Sequence, residues 1–456
     1  MKPSTGLKIV IIGCGKVGAT LIEQLSDEGH DITIIDTDSN KVQELANLYD
    51  VMGIIGNGAS LEAQRDADVQ NTDVLIAVTG SDELNLLCCI IAKQFGKCSA
   101  IARVRTPDYS AEASYLRDKL GLALIINPDL EAARETARIL YLPTALEVNS
   151  FAHNQAELIK IKIPDDNILD GMTISHLGMN ITNDILICAV ERDNSITIPS
   201  GSFELKKGDI ISFAATRKAA KQFLTKIGFA TKAVKNTLII GGGRSAYYLA
   251  DELLRRGIEV TIIENDRARC ERLCTLLPKA VILNGDGINQ DFLKEAGIQS
   301  FDSVVPLTGI DEENIMLTLY TKQVSDAKVI TKVNRIGFTE VINNLNLGSV
   351  IYPKYITSEA IIAYVRAKMG SRGNIETLYH IFDNRVEAIE FSVSDAPKVT
   401  GKTLKELTLK DNLLIAFISH NGVIKIPTGS DMISEGDNVL IVTTHKGLSD
   451  INDILR

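Results

Sequence analysis

The chain has 456 residues, 45% hydrophobic and 23% charged, an ordinary globular balance with material for about three to four domains. A net charge of −10 disfavours nucleic acid and anionic bilayers as direct partners, and the lack of tryptophan, with only 5% aromatic residues, argues against platforms for stacking bases. No stretch has the roughly 18 uninterrupted apolar residues of a membrane span, no secretory pattern precedes the first glycine turn, and the seven cysteines form no disulfide framework, so a cytosolic chain is expected.

In chain order, residues 9–38, IVIIGCGKVGATLIEQLSDEGHDITIIDTD, read as a strand, a glycine turn, an amphipathic helix over 16–28 and a second strand ending in an acid. Gly13, Gly15 and Gly18 have G-x-G-x-x-G spacing. The first glycine allows a tight turn, the second lets backbone approach a pyrophosphate, and the third lets helix and strand pack closely. Cys14, Lys16 and Val17 complete the turn, whose free N–H groups and positive helix end suit phosphate. Asp36, 23 positions after Gly13, is spaced to accept hydrogen bonds from ribose hydroxyls, and no arginine follows it directly, which favours NAD over NADP. Gly56-Asn57 follows the third strand, either bordering an adenine or forming a plain turn. Thr79-Gly80-Ser81-Asp82-Glu83-Leu84-Asn85 opens an apolar helix, where Asp82 and Glu83 suit capping as readily as a ligand. Arg103 and Arg105 end the strand SAIARV on the carboxyl edge of the sheet, where they clamp phosphate, reach a neighbouring subunit or form surface salt bridges.

Alternating strand and helix patterns predict a doubly wound parallel α/β domain over 1–141. Short strands broken by Pro, Gly and Asp then predict a compact, mostly β module over 150–228. There AELIKIKI (156–163) alternates, 171–177 reads as a short helix after a turn, and Gly208-Asp209 marks another turn.

The whole arrangement then repeats. Residues 237–266, TLIIGGGRSAYYLADELLRRGIEVTIIEND, match the opening motif at an offset of 228 positions. Gly241 and Gly243 take the first two glycine positions, Ala246 the third, and Glu264 replaces the aspartate; Arg244 and Ser245 follow the turn. Asp286 after Gly285 and Thr308 in Thr308-Gly309 match Asn57 and Thr79, while Lys332 and Asn334 stand where Arg103 and Arg105 do. Arg244 and Arg267 either favour a more phosphorylated ligand such as ATP or are solvated surface charges. A second doubly wound domain is expected over 235–366 and a second small module over 375–456, with VEAIEFSV (386–393), a short helix at 401–407 and Gly436-Asp437. Linkers are read near 142–152, 228–236 and 367–376.

The six histidines are scattered, none with metal-ligand spacing or in the position of a dehydrogenase proton relay. Cys270 and Cys274 lie at i, i+4 without a second pair, and Cys88-Cys89 sits on an apolar helix; both read as buried thiols, and no metal site is expected. Cys14 inside the turn raises a redox-sensitive nucleotide site. Two nucleotide turns without catalytic machinery indicate a sensor. An NAD-dependent oxidoreductase is the alternative, and an assembly scaffold with vestigial turns is a third.

The tandem order of VIIGCGKVGATLIEQL…DITIIDTD, TGSDELN, ARVRTPDY, AELIKIKIP…GMTISHLG and IPSGSFELKKGD with its second copy resembles the RCK (KTN) regulators of potassium transport over about 7–456. The resemblance implies two Rossmann-like doubly wound sheets, each followed by a small β-rich α+β domain of RCK-C type. It implies a cytoplasmic subunit without enzymatic activity, forming a tetrameric ring peripheral to the inner (plasma) membrane beneath a potassium transporter, which it gates according to bound NAD(H) or ATP/ADP. Carried over by position, Gly13, Gly15 and Gly18 form the phosphate turn, Asp36 anchors ribose and Arg103 lies on the phosphate side; Gly241, Gly243 and Glu264 take the equivalent roles in the second half. The chain departs from the family pattern at Asn57, where Gly-Asp is usual, and at Ala246.

Overall fold

In the computed structural model, which describes residues 6–152, 155–182, 184–229, 233–334, 342, 345–369, 375–382, 384–394 and 398–456, the alternating strands and helices of the first stretch build a six-stranded parallel sheet. Its elements are β1 (Lys8–Ile12), α1 (Lys16–Asp27), β2 (Asp31–Asp36), α2 (Ser39–Tyr49), β3 (Met52–Ile55), α3 (Leu61–Asp66), β4 (Val74–Ala77), α4 (Asp82–Phe95), β5 (Ser99–Arg103), α5 (Pro107–Ala111), α6 (Ala113–Leu120) and β6 (Leu124–Ile126). The strand order 3-2-1-4-5-6 is that of a dinucleotide-type sheet, with the crevice where the order reverses beside β1. Strands β1 and β4 are buried on both faces, which is why KIVII and VLIA read as continuous apolar runs rather than alternating ones.

After α7 (Pro128–Tyr141) comes an antiparallel sheet of β7 (Glu147–Phe151), β8 (Ala156–Lys162), β9 (Ile185–Arg192), β10 (Ser195–Thr197) and β11 (Ile210–Thr216), with α8 (Ile174–Asn180) and α9 (Arg217–Lys226). Residues 147–151, read from the sequence as linker, form β7 and pair with β8. The second parallel sheet has β12 (Asn236–Ile240), β13 (Glu259–Glu264), β14 (Val281–Asn284), β15 (Ser303–Pro306), β16 (Lys328–Lys332) and β17 (Ser349–Ile351) in the same order as the first. Its helices are α10 (Arg244–Arg255), α11 (Arg267–Leu276), α12 (Gln290–Glu295) and α13 (Asp311–Val324), followed by α14 (Pro353–Met369). The last antiparallel sheet holds β18 (Ile375–Ile381), β19 (Val386–Ser392), β20 (Leu413–His420), β21 (Val423–Lys425) and β22 (Asn438–Thr443). The helix expected at 401–407 is a single 3-10 turn, Leu404–Glu406, closed by a capping box between Thr403 and Glu406.

The chain divides into two compact units: Met1–Glu131 with Tyr352–Met369, and Ala132–Ile351 with Gly370–Arg456. The helix after each parallel sheet is therefore exchanged between the two repeats. In the first unit α14 packs along α1. In the second, Ala132, Ala133 and Thr136 of α7 face Ser245 and Leu249 of α10. The two small modules both belong to the second unit and share one core, in which Phe151 packs edge-on against Tyr379 (5.1 Å) and Phe417 (6.2 Å). Matching corners, Ala152 at φ 48° and Phe382 at φ 53°, hold the left-handed conformation that non-glycine residues seldom adopt. Each is fixed by the opposite module: the Ala152 N–H donates to Glu390 Oε1 at 2.9 Å, and Lys160 Nζ lies 4.4 Å from the Phe382 ring centroid.

Arg366 of α14 is buried and donates to Glu28 at the end of α1 through Nε (2.9 Å) and Nη2 (2.5 Å), and His30 Nε2 stands 3.8 Å from the same carboxylate. Burial alone would raise the Glu28 carboxyl, but the His30 and Arg366 side chains outweigh it and hold it below the ordinary glutamate range. A carboxyl with a lowered folded-state value stabilises the fold at neutral pH and loses that contribution as pH falls through and below the carboxylate range. Arg366→Met should therefore weaken amide protection in α14 by about 3 kcal/mol at pH 7 and by less at pH 4, as read by hydrogen exchange.

Candidate functional site

The glycine turns lie at the carboxyl ends of β1 and β12. Gly13 (φ +106°) and Gly241 (φ +103°) make the sharp exit from the strand, and a Cβ on either would stand 2.9 Å from the backbone that follows β4 or β15. Gly15 and Gly243 are the N-caps of α1 and α10 and have no side-chain cap; a Cβ there would meet nothing within 4 Å. Each helix thus presents its first N–H groups, with the positive end of its dipole, to an open space at the sheet edge. Lys16 and Arg244 are exposed at the first helical position, whereas Val17 and Ser245 are buried. A Cβ on Gly18 would lie 1.9 Å from the Gly13 carbonyl oxygen. Ala246 at the matching position is fully buried, so the second turn stands far enough from α10 to admit a methyl group.

The acid ending the second strand is bonded to the turn in both copies. Asp36 Oδ2 accepts from the Cys14 N–H (2.6 Å) and Oδ1 from the Asp38 N–H (3.0 Å). Glu264 Oε2 accepts from the Gly242 N–H (2.8 Å) and Oε1 from the Asp266 N–H (2.7 Å). The two turns differ by a compensating change in size. Where the acid is the shorter Asp36, a cysteine fits in the turn; where it is the longer Glu264, a Cβ on Gly242 would stand 2.9 Å from Oε2. Glu264 is only 4% exposed and also receives Arg269 Nη1 at 3.2 Å. Arg267, a candidate in the sequence, pairs with Glu271 on the outer face of α11; Arg269 reaches the acid, and its place in the first turn of α11 is the one sequence signal for it.

The remaining candidates gather around these turns. Asn57 Oδ1 accepts from the Ala59 N–H and Asp286 Oδ1 from the Ile288 N–H, both at 3.0 Å, so the two exposed residues close the same loop and differ only in the charge they present. The Gly56 and Gly285 N–H groups bond the Asp36 and Glu264 carbonyls. Thr79 and Thr308 donate their N–H groups to Asn85 and Asn314 (2.8 and 2.9 Å). These two asparagines are fully buried and reach on to the Arg103 and Lys332 carbonyls, so they brace adjacent strand ends. Arg103 donates to the Thr79 carbonyl and Lys332 Nζ to the Leu307 carbonyl (3.4 Å), which places both cations along the same edge. Ser81 caps α4, while Asp82 turns to the Arg105 and Thr106 N–H groups (2.9 and 2.7 Å); its role is a bridge to the loop after β5 rather than a cap. Asp311 makes the matching bond to the Asn334 N–H.

Cys14 is buried, and burial together with the Asp36 carboxylate pushes its thiol up to about 12, so the reactive thiolate that a redox role needs is disfavoured. Cys88, Cys89 and Cys270 are buried as expected, but Cys274 is exposed. Among the described residues no cluster of three or more His, Cys, Asp or Glu could hold a metal ion, and no helix is long and apolar enough to cross a membrane.

Family models give this pattern a place: the TrkA-N domain matches residues 9–128 and 237–353, and the TrkA-C domain matches 158–228 and 388–456. The chain belongs to the TrkA family. A Trk system potassium uptake protein TrkA homolog from Methanosarcina mazei is 31% identical over 458 residues, which cover 99% of this chain and all of the relative. TrkA of Haemophilus influenzae is 29% identical over 444 residues, 96% of each chain. Among solved structures, the GsuK channel bound to NAD superposes with a TM-score of 0.63 at 18% identity, covering 100% of this chain and 80% of that one. The GsuK RCK domain gives 0.63 at 18%, covering 98% and 94%. At such identities the likeness is one of fold, and it includes the tandem TrkA arrangement of two parallel and two antiparallel sheets.

The glycine contrast between the two TrkA-N copies is testable. Gly18→Ala should lower stability by about 2 kcal/mol through the clash with the Gly13 carbonyl. Ala246→Gly should cost about 1 kcal/mol, mainly helix propensity, both followed by thermal unfolding.

Proposed function

We propose that the chain is a cytoplasmic regulatory subunit that gates a membrane potassium uptake transporter according to bound NAD(H) and ATP or ADP, without catalysing a reaction itself. The observation that carries this reading is the first turn: an open helix N-terminus, tied by the Cys14 N–H to a carboxylate at the end of β2. Relatives named as Trk potassium uptake proteins supply the transport context, and GsuK structures bound to NAD and to ADP supply the ligand class.

In this reading the N–H groups at Gly15, Lys16 and Val17 hold the pyrophosphate. Gly13 and Gly18 set the turn, with Cys14 completing it, and Asp36 bonds the ribose hydroxyls through the acceptor capacity its backbone bonds leave over. Asn57 borders the adenine, and Thr79 and Arg103 lie on the phosphate side. In the second half Gly241, Gly243, Arg244 and Ser245 form the turn, Glu264 meets ribose, and Asp286 and Thr308 complete the rim. Arg269 offsets the charge of Glu264, which suits a ligand with more phosphate than NAD. The sequence domains 1–141, 150–228, 235–366 and 375–456 act as paired sensing and assembly modules in a tetrameric ring on the cytoplasmic face of the membrane.

Gating follows from differential binding: a nucleotide shifts the conformational equilibrium only by the difference in its affinity for the two states. Helix α1 offers a direct route, since it starts at the phosphate turn and ends at Glu28, which holds Arg366 from the other repeat. Potassium flux through the reconstituted transporter, with and without nucleotide, is the test. Flux should respond to NADH with the parent chain and lose that response with Asp36→Ala; flux that ignores nucleotides in both would refute gating.

A further inference from the structure

The two units place matching residues where the glycine-turn helix meets the exchanged helix, and they fill these junctions differently. In the first unit, Glu28 and His30 at the end of α1 meet Arg366 of α14, and the buried Arg366 pairs with the half-buried Glu28 beside a flanking imidazole. By the 228-residue offset, the matching positions after α10 are Arg256 and Ile258. Arg366 lies 13 residues after Pro353, and the residue 13 after Pro128 on α7 is Tyr141. The anion of the first junction is thus a cation in the second, and the cation is an aromatic ring.

The outcome is a cleft of about 540 Å³, within the size range of small-ligand sites. Its walls are apolar, with Leu140, Pro143, Val234 and Ile258 among them. Three cations line it: Arg217, Lys221 and Arg256. Two are already matched. Arg217 bonds the buried Glu157 at 2.9 Å and lies 5.0 Å from the Tyr141 ring centroid, and Arg256 bonds Glu252 of its own helix. Lys221, exposed on α9, has no ion-pair partner among the described residues. The cleft therefore combines an apolar body with an excess of one positive charge, at the position where the first unit is closed by a carboxylate.

We propose that this cleft binds a small organic anion with an apolar body, a carboxylate or phosphate monoester whose head group pairs with Lys221. The ligand touches α7, the segment after it, α9 and the end of α10, so it ties the first small module to the second parallel sheet. This site is separate from both glycine turns and does not depend on nucleotide binding.

The test is calorimetric titration of the full chain with octanoate and with phenyl phosphate. Octanol serves as the apolar body without charge, and inorganic phosphate as charge without the body. At least one of the two amphiphilic anions should saturate one site per chain, about tenfold or more tighter than either control; which of the two binds identifies the head group. Lys221→Glu, which reverses an exposed charge, and Ala233→Trp, which adds bulk at an exposed lining position, should each weaken that binding about tenfold while leaving NADH titrations unchanged. Absence of saturable binding by both anions, equal binding of octanol, or binding unaltered in both variants would overturn the proposal.

Discussion

The bond from the strand-end carboxylate to the backbone N–H inside the glycine turn, Asp36 to Cys14 and Glu264 to Gly242, is the contact on which the rest of each large sheet depends. It fixes the end of the second strand against the exit of the first, and so sets the crevice where the strand order reverses. With the turn held, Gly15 and Gly243 can present bare helix N-termini to solvent, an arrangement that leaves backbone donors without intrahelical partners and suits an anion. Around it the buried Asn85 and Asn314 brace the next strand ends, so the edge is held by backbone-directed bonds rather than by packing alone.

The duplication keeps this frame and varies what it offers. The Cys14–Asp36 combination and the Gly242–Glu264 combination fill similar space with different side chains, and the second acid is further matched by Arg269. Asn57 becomes Asp286 without loss of the loop bond it makes. The junction behind the turn changes most, from a Glu28–Arg366 ion pair to a cleft lined by cations. Two copies with one fold thus present two different electrostatic environments, which is what a receptor for more than one ligand requires.

Much of this was legible in the sequence, for identifiable reasons. Glycines at 13, 15 and 18 and an acid 23 positions after the first are local signals of a turn that only small residues allow, and the continuous apolar runs of β1 and β4 mark a sheet covered on both faces. Asp82 looked like a cap because it stands at a helix start, yet its partners are N–H groups of Arg105 and Thr106 that only the folded sheet brings near. Strand β7 went unread because Glu147–Phe151 follows Pro143 and shows no clear alternation. The exchange of α7 and α14 left no trace in periodicity, since an amphipathic helix declares that one face is buried but not against what.

In the proposed function the first turn takes NAD(H) and the second a different ligand. Calorimetric titration of the full chain with NADH, comparing Asp36→Ala with Glu264→Ala, addresses this most directly. NADH binding should be lost with Asp36→Ala and retained with Glu264→Ala. Unchanged NADH binding in Asp36→Ala, or loss only in Glu264→Ala, would contradict this assignment.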